Sequence, residues 1–329
     1  MRTTSLYNNH IDKKAKIAEF AEYLMPLYYS DTGALQEHLW TRQHASIFDV
    51  SHMMQVVIKN KNTAEILEKI TPSIFMEAQY HKPKYTMLLN KEGGIVDDCI
   101  ITKISNDEFH IVINASRIKE DINLLKNHFD NSIQIKDESL VALQGPLAIE
   151  AIKQVIPNFN LEKQFTSSFF QFMDNEIFIS RVGYTGEDGV EISVPHKNSV
   201  ALWEKILTNS QIKPAGLAAR NSLRIEAGYP LYGSDINENM SPIEANLKWV
   251  VKNKSCYGAE KIYEQMQNGT LKKRMTFIMK DQKMPRGHNR IMDEDNNIIG
   301  EVTSAAFLPT QNLTAGQAFV KSSLKEGDA

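Results

Sequence analysis

The stretch "NKEGGIVDDCIITKI" (Asn90–Ile104) sets two carboxylates, Asp97 and Asp98, side by side at the head of a run rich in β-branched residues. A carboxylate withdrawn from water is costly unless it is hydrogen-bonded or paired. Side chains alternate along a strand, so the two acids point to opposite faces, and at least one meets whichever face is covered. A third acid, Glu191, lies in "GYTGEDGVEISVP" (Gly183–Pro195). Val190, Ile192 and Val194 alternate there as a core face, which leaves Glu191 and Ser193 on the other. A solvated strand face accounts for a lone glutamate, and so does the wall of a ligand cavity; taken alone, the solvated face is the simpler reading. Cations to answer these acids lie in "AGLAARNSLRIEAGYPLYGSDI" (Ala215–Ile236), where Arg220 and Arg224 are four apart and share a helix face. Two like charges side by side call for an anion, either Glu226 or a ligand carboxylate. "YPLYG" then breaks the helix and presents Tyr229 and Tyr232.

Other chemistries find no support in the spacing. The nine histidines are scattered, with no H-E-x-x-H and no C-x-x-C, so no metal site is expected. His52 in "FDVSHMMQ" follows Asp49 by three residues, and a surface or hydrogen-bonded structural role suits it best. No phosphate loop or nucleophile elbow is present. Cys256 in "NKSCYGAEKI" matches the reactive-cysteine motif of a folate-binding assembly factor poorly and reads as a semi-buried structural residue.

Stepping from these residues to their supports, "MQVVIKN", "DDCIITKI", "EFHIVIN", "SLVALQ", "EIFISRV" and "GVEISVP" read as strands. Helical spacing in Arg117–Phe129 puts Ile118, Ile122, Leu125 and Phe129 on one stripe. "GPLAIEAIKQVIP" is bounded by prolines at a plausible first helical position and at the stop. "NSVALWEKIL" has a capping candidate at Asn198 or Ser199. Strands interleaved with fewer helices indicate α+β with mixed or antiparallel sheets. After Gly269 the pattern changes to the short strand candidates "RMTFIMK", "NRIMD" and "NIIGEVTSAAF", so a small β domain is expected over 272–329. The boundary is placed near 260–272, and residues 1–262 form the larger region, read as two intertwined α+β subdomains.

At 329 residues the chain exceeds what one core usually organises, which agrees with more than one domain. An apolar fraction of 42% and a charged fraction of 23% are ordinary for a globular protein. The net charge of −3 gives no global electrostatic case for nucleic acid or an anionic membrane. A count of two cysteines argues against a disulfide scaffold and suits a reducing compartment. No apolar run reaches membrane-spanning length, and the N-terminus lacks a signal-peptide core, so a soluble cytoplasmic protein is expected.

Taken in order, these segments resemble the aminomethyltransferase family, the T-proteins of the glycine cleavage system. "SIFDVSHMMQ", "TMLLNKEGGIVDDCI", "VINAS", "VALQGPLA", "SRVGYTGEDGVEISVP", "IKPAGLAARNSLRIEAGYPLYGSDI", "PIEANLKWVVK" and "GEVTSAAFLPT" follow the family's order over nearly the whole chain. The resemblance implies a multi-domain folate-binding fold of α+β class with a small C-terminal β-barrel domain. It implies that the methylene of an aminomethyl group, carried on the lipoyl arm of a carrier (the H-protein), passes to tetrahydrofolate with release of ammonia. It assigns the catalytic role to Asp97 and folate contacts to Glu191 and Arg220, with Asn114, Tyr184 and Tyr232 at pocket-lining positions. On this reading Asp97 faces the pocket, Asp98 makes structural hydrogen bonds on the other face, and the glycines let the chain turn tightly beside the ligand.

"FAEYLMP" departs from the family's usual glycines and tryptophan near the N-terminus, "SAAFLPT" is less polar than usual, and family members normally continue beyond "VKSSLKEGDA". The last departure implies a shortened C-terminal domain. Two other functions share the fold family: a folate-dependent demethylase of a small methylated substrate, and a non-enzymatic folate-binding assembly factor. The poor cysteine motif and the acid at position 97 count against the second.

Overall fold

The computed structural model describes every residue except 282, 328 and 329, so those three members of the expected 272–329 domain lie outside the description. Four sheets organise the chain. A five-stranded antiparallel sheet runs in the spatial order Lys84–Leu89, Ile95–Lys103, Glu108–Ile113, Met54–Lys59, Ile133–Ile135. A six-stranded sheet runs Ser167–Phe172, Asn175–Ser180, Gly189–Pro195, Glu138–Gln144, Ala45–Asp49, Ile212–Pro214, antiparallel except at its last pair. A three-stranded sheet gathers Arg2–Thr3, Tyr23–Tyr29 and Ala15–Phe20 at the N-terminus. The fourth sheet, after Lys272, orders Lys272–Ile278, Leu313–Lys321, Ile298–Leu308, Arg290–Met292.

Each large sheet hides one face under helices. On the five-stranded sheet the helix Ile118–Phe129 sets Ile122, Leu125 and Phe129 against Cys99, Ile101, Phe109 and Ile111. The stripe expected from helical spacing is the one that packs. On the six-stranded sheet Val190, Ile192 and Val194 pack under the helices Ala148–Val155 and His196–Leu207. The second of these starts two residues before the expected cap: Pro195 holds the extended conformation ahead of it, and His196 Nδ1 is tied to Ser139 Oγ at 2.8 Å. The opposite faces of the two sheets then look toward each other across a narrow cavity. Its lining includes Ile100, Thr102 and Val112 from one sheet and Phe178, Glu191 and Ser193 from the other.

The expected boundary near 260–272 is largely occupied by a helix, Ala259–Asn268. Its Ile262 is fully buried with Met87, Leu89 and Ile95, so this segment is part of the larger region's core. Gly269, at φ +81°, ends the helix in a conformation that favours glycine. The C-terminal sheet docks on the rest through Arg274, whose guanidinium donates to the Ala245 and Gly228 carbonyls and to Gln317 Oε1. Asp235 reinforces the contact by accepting from Thr303 and Ser304 while pairing with the buried Arg224.

Candidate active site

The acidic strand Ile95–Lys103 owes its orientation to a bulge. Leu89 pairs with Ile95 but Leu88 pairs with Asp97, so Val96 is an extra residue and alternation restarts after it. From there Asp97 shares a face with Cys99 and Ile101, while Asp98 shares a face with Ile100 and Thr102. Cys99 and Ile101 lie under the helix Ile118–Phe129; Ile100 and Thr102 line the cavity. The expected orientation is therefore reversed. Asp97 is fully buried on the helix side, and Asp98 is the acid on the cavity face. The apolar face demanded by the covering helix decides the matter, and adjacent acids alone do not reveal it.

The glycines before the strand make the expected tight turn, with Gly93 at φ +78° donating its N–H to the Asn90 carbonyl, but what lies against them is backbone. A Cβ at Gly94 would lie 1.9 Å from the Glu238 carbonyl oxygen, and one at Gly258 would lie 2.1 Å from the Gly93 Cα. They permit close approach of the 238–258 backbone, which Ile95 N–H joins by donating to the Met240 carbonyl.

Asn114 ties the two acids together. Its backbone N–H donates to Asp97 Oδ2 at 3.0 Å, and its side-chain amide donates to Asp97 Oδ1 and Asp98 Oδ1, each at 2.9 Å. The Tyr85 hydroxyl donates to Asp98 Oδ2 at 3.0 Å. Its ring stacks on Trp249 at 5.7 Å. Burial and the neighbouring Asp97 charge raise the Asp98 carboxyl to about 7, against the opposing hydrogen bonds from Tyr85 and Asn114.

Across the cavity Glu191 projects from Gly189–Pro195, as alternation predicts. Burial raises its pKa and the Arg220 charge opposes this. Among the described residues no hydrogen bond or close ion pair reaches the Glu191 carboxylate, and Arg220 Nη1 is buried without a partner. Arg220 comes from the helix Leu217–Glu226 and lies over the Tyr184 ring at 4.7 Å. Tyr184 stacks in turn on Tyr229 at 5.9 Å, and its hydroxyl donates to the Pro230 carbonyl. Arg224, the expected partner of Arg220 on one helix face, instead pairs with buried Asp235. Glu226 is drawn to Arg42. Behind Arg220, desolvation and the guanidinium charge lower the His52 imidazole to about 4, so it is neutral at physiological pH.

Tyr232 belongs to a different environment. Its hydroxyl donates to the Ile95 carbonyl at 2.9 Å, and Arg117 lies over its ring at 5.0 Å. It packs with Met87 and Leu89 and does not line the cavity between the sheets. Sequence reasoning did not single out Tyr85, whose role depends on a cross-strand diagonal to Asp98, or Asp121, which reaches Asp97 from a separate helix.

The GCVT N-terminal domain family matches residues 6–255, and the glycine cleavage T-protein C-terminal barrel domain family matches residues 272–329. The chain belongs to the aminomethyltransferase family, the T-proteins of the glycine cleavage system. It is 36% identical to an aminomethyltransferase of Flavobacterium psychrophilum, over all of this chain and 94% of that protein. It is 34% identical to a probable mitochondrial aminomethyltransferase of Schizosaccharomyces pombe, over 99% of this chain and 87% of that one. The crystal structure of glycine cleavage system aminomethyltransferase T from Bartonella henselae superposes with a TM-score of 0.91 at 35% identity, covering 98% of this chain and 90% of that one. The fold class expected from the sequence, α+β with a C-terminal barrel domain, is the one these relatives share.

Proposed function

We propose that this chain transfers the methylene of an aminomethyl group on a lipoyl-bearing carrier, the H-protein, to tetrahydrofolate, with release of ammonia. The observation that carries this reading is the oppositely charged couple formed by Glu191 on the cavity wall and Arg220, whose buried Nη1 has no partner, with the half-buried Asp98 on the cavity face of the other sheet. A buried guanidinium nitrogen without a hydrogen bond is costly, and a half-buried carboxylate beside it that makes none keeps its accepting capacity free, so both call for a ligand that supplies their partners. A pterin fits that demand: adjacent N–H donors for the carboxylate, a ring oxygen for the guanidinium, and a flat face for Tyr184. Tetrahydrofolate supplies the nucleophilic nitrogens that accept the one-carbon unit.

The chain's own residues hold and polarise. Glu191 and Arg220 fix the ring's orientation, which lowers the entropic cost of reaction. Asp98, placed by the bulge and held by Tyr85 and Asn114, puts a carboxylate where positive charge develops on the reacting nitrogens. We assign the electrostatic role to Asp98 and a supporting role to Asp97, Asn114 and Tyr232. A reducing, cytoplasmic setting suits the two free, buried cysteines.

The test is ammonia release from an aminomethylated carrier with and without tetrahydrofolate. The reading predicts release that requires both. Transfer of the methyl group of a small methylated substrate to tetrahydrofolate, giving methyltetrahydrofolate and the demethylated product, with no ammonia released from the carrier, would establish the demethylase instead.

A further inference from the structure

Three carboxyl groups meet at the start of the acidic strand. Asp97 and Asp121 are both fully buried, and Asp98 adjoins them through the shared Asn114 amide. Asp121 lies in the first turn of Ile118–Phe129, and among the described residues no N–H or hydroxyl donates to either of its oxygens. Its polar neighbour is the Asp97 carboxyl, in hydrogen-bond contact with it. The nearby cation does not neutralise it. Arg117 donates through Nε to the Val96 carbonyl at 2.9 Å and turns its terminal nitrogens toward Glu238 and Glu120. Asp97, by contrast, already accepts from Asn114 on both oxygens, the pattern of an anion.

A contact between two carboxyl groups needs a proton, and two buried carboxylates at that range cannot both ionise. We propose that Asp121 is a positioning residue: it is a neutral carboxylic acid that donates its proton to Asp97, leaving a single negative charge beneath the strand that acts on Asp98 across Asn114. The assignment rests on the reading that Asp98 faces the reacting ligand. Burial and the Asp97 charge push the Asp121 carboxyl up to about 11, with Arg117 opposing and Glu120 reinforcing. The groups facing Asp98 are Asp97, Asn114, Tyr85 and, from the opposite side of the site, Tyr184, and the buried Cys99 and Tyr232 stand by the pair as neutral neighbours. The arrangement separates the acids by charge: one proton fixed at Asp121, one anion fixed at Asp97, and a third carboxyl free to titrate on the cavity face.

Two measurements test this. The first needs no turnover: carbon-13 NMR of the aspartate-labelled wild-type protein, followed through pH, with Asp121→Asn to assign the signal. The proposal predicts one carboxyl resonance that keeps its protonated position past pH 8 and disappears in Asp121→Asn. If every aspartate carboxyl is ionised by that pH, the proposal is overturned, whatever Asp98 does. The second compares pH profiles of turnover. Asp97→Asn removes the anion beside Asp98 and moves the acid limb to lower pH. Asp121→Ala moves it the same way, because an Asp97 that has lost its donor takes up a proton itself. Asp121→Asn retains a neutral donor and restores the wild-type limb. An Asp121→Asn limb displaced as far as that of Asp97→Asn would mean Asp121 is ionised in the native protein. Should Asp98→Asn leave turnover untouched, the role assigned to Asp98 fails, while the NMR result still decides where the proton lies.

Discussion

Tyr85→Phe isolates the hydrogen bond that holds Asp98. The ring and its stack on Trp249 survive, and only the hydroxyl 3.0 Å from Asp98 Oδ2 is lost. That bond favours the charged carboxylate, so its removal raises a group already lifted to about 7 by burial and by Asp97. Hydrogen bonds to charged groups contribute roughly 1.5–3 kcal/mol, and one pKa unit corresponds to about 1.4 kcal/mol, so the shift is about 1–2 units upward. The sign follows from the required form: turnover needs the carboxylate, hence the rate falls as pH drops through its pKa, and the variant loses rate at a higher pH than the wild type. The assay is ammonia release under saturating folate across the pH range, with thermal unfolding alongside. Full rate should return at sufficiently alkaline pH. An acid limb that stays in place, or moves to lower pH, would refute the claim that Tyr85 stabilises a functional Asp98 anion.

Other outcomes follow from the same geometry. Glu191→Gln should weaken tetrahydrofolate binding by roughly 1–3 kcal/mol, because an amide presents one oxygen where the ligand offers two donors; isothermal titration calorimetry reads this, and unchanged affinity removes Glu191 from the site. Gly94→Ala would place its Cβ 1.9 Å from the Glu238 carbonyl oxygen, so the 238–240 backbone must shift. Overpacking of this kind costs about 1–3 kcal/mol, visible as a lower midpoint in urea; a wild-type midpoint would show that the close approach is dispensable. Limited proteolysis should cut first at 269–271, where Gly269 ends the helix and Leu271 is exposed, and an early cut within Ala259–Asn268 would show that this helix is not part of the core.

Much of the scaffold was legible because local pattern and burial coincide. The stripe Ile122, Leu125, Phe129 and the alternation Val190, Ile192, Val194 give the same answer in sequence and structure. They place Glu191 on the face away from the core; that this face lines a cavity rather than meeting open solvent is decided by the second sheet opposite it. The acidic strand was only half legible. Adjacent residues must face opposite ways, but which face is covered depends on a helix some twenty residues later. The available hint was composition: from Asp98 the same face carries Ile100 and the polar Thr102, whereas Asp97 shares its face with Cys99 and Ile101. Tyr232 has an aromatic ring that suits a ligand pocket, yet its hydroxyl is committed to the Ile95 carbonyl. Long-range partners of that kind leave no local signature. The strand Leu313–Lys321, central to the C-terminal sheet, was not foreseen: "LTAGQAFVK" contains glycine and alanines that blur its alternation.

The most direct test of the account compares Asp97→Asn with Asp98→Asn in single-turnover transfer at saturating tetrahydrofolate, with folate affinity and unfolding measured on the same samples. Both amides are nearly isosteric with the acids they replace. Removing a preorganised electrostatic group commonly costs about 10²–10³ in rate. The account predicts a loss of that size for Asp98→Asn with folate binding retained. For Asp97→Asn it predicts transfer retained on the alkaline plateau, with the effect confined to stability and to the acid limb. Abolished transfer in Asp97→Asn together with wild-type transfer in Asp98→Asn would contradict it and return the catalytic role to the helix-covered face.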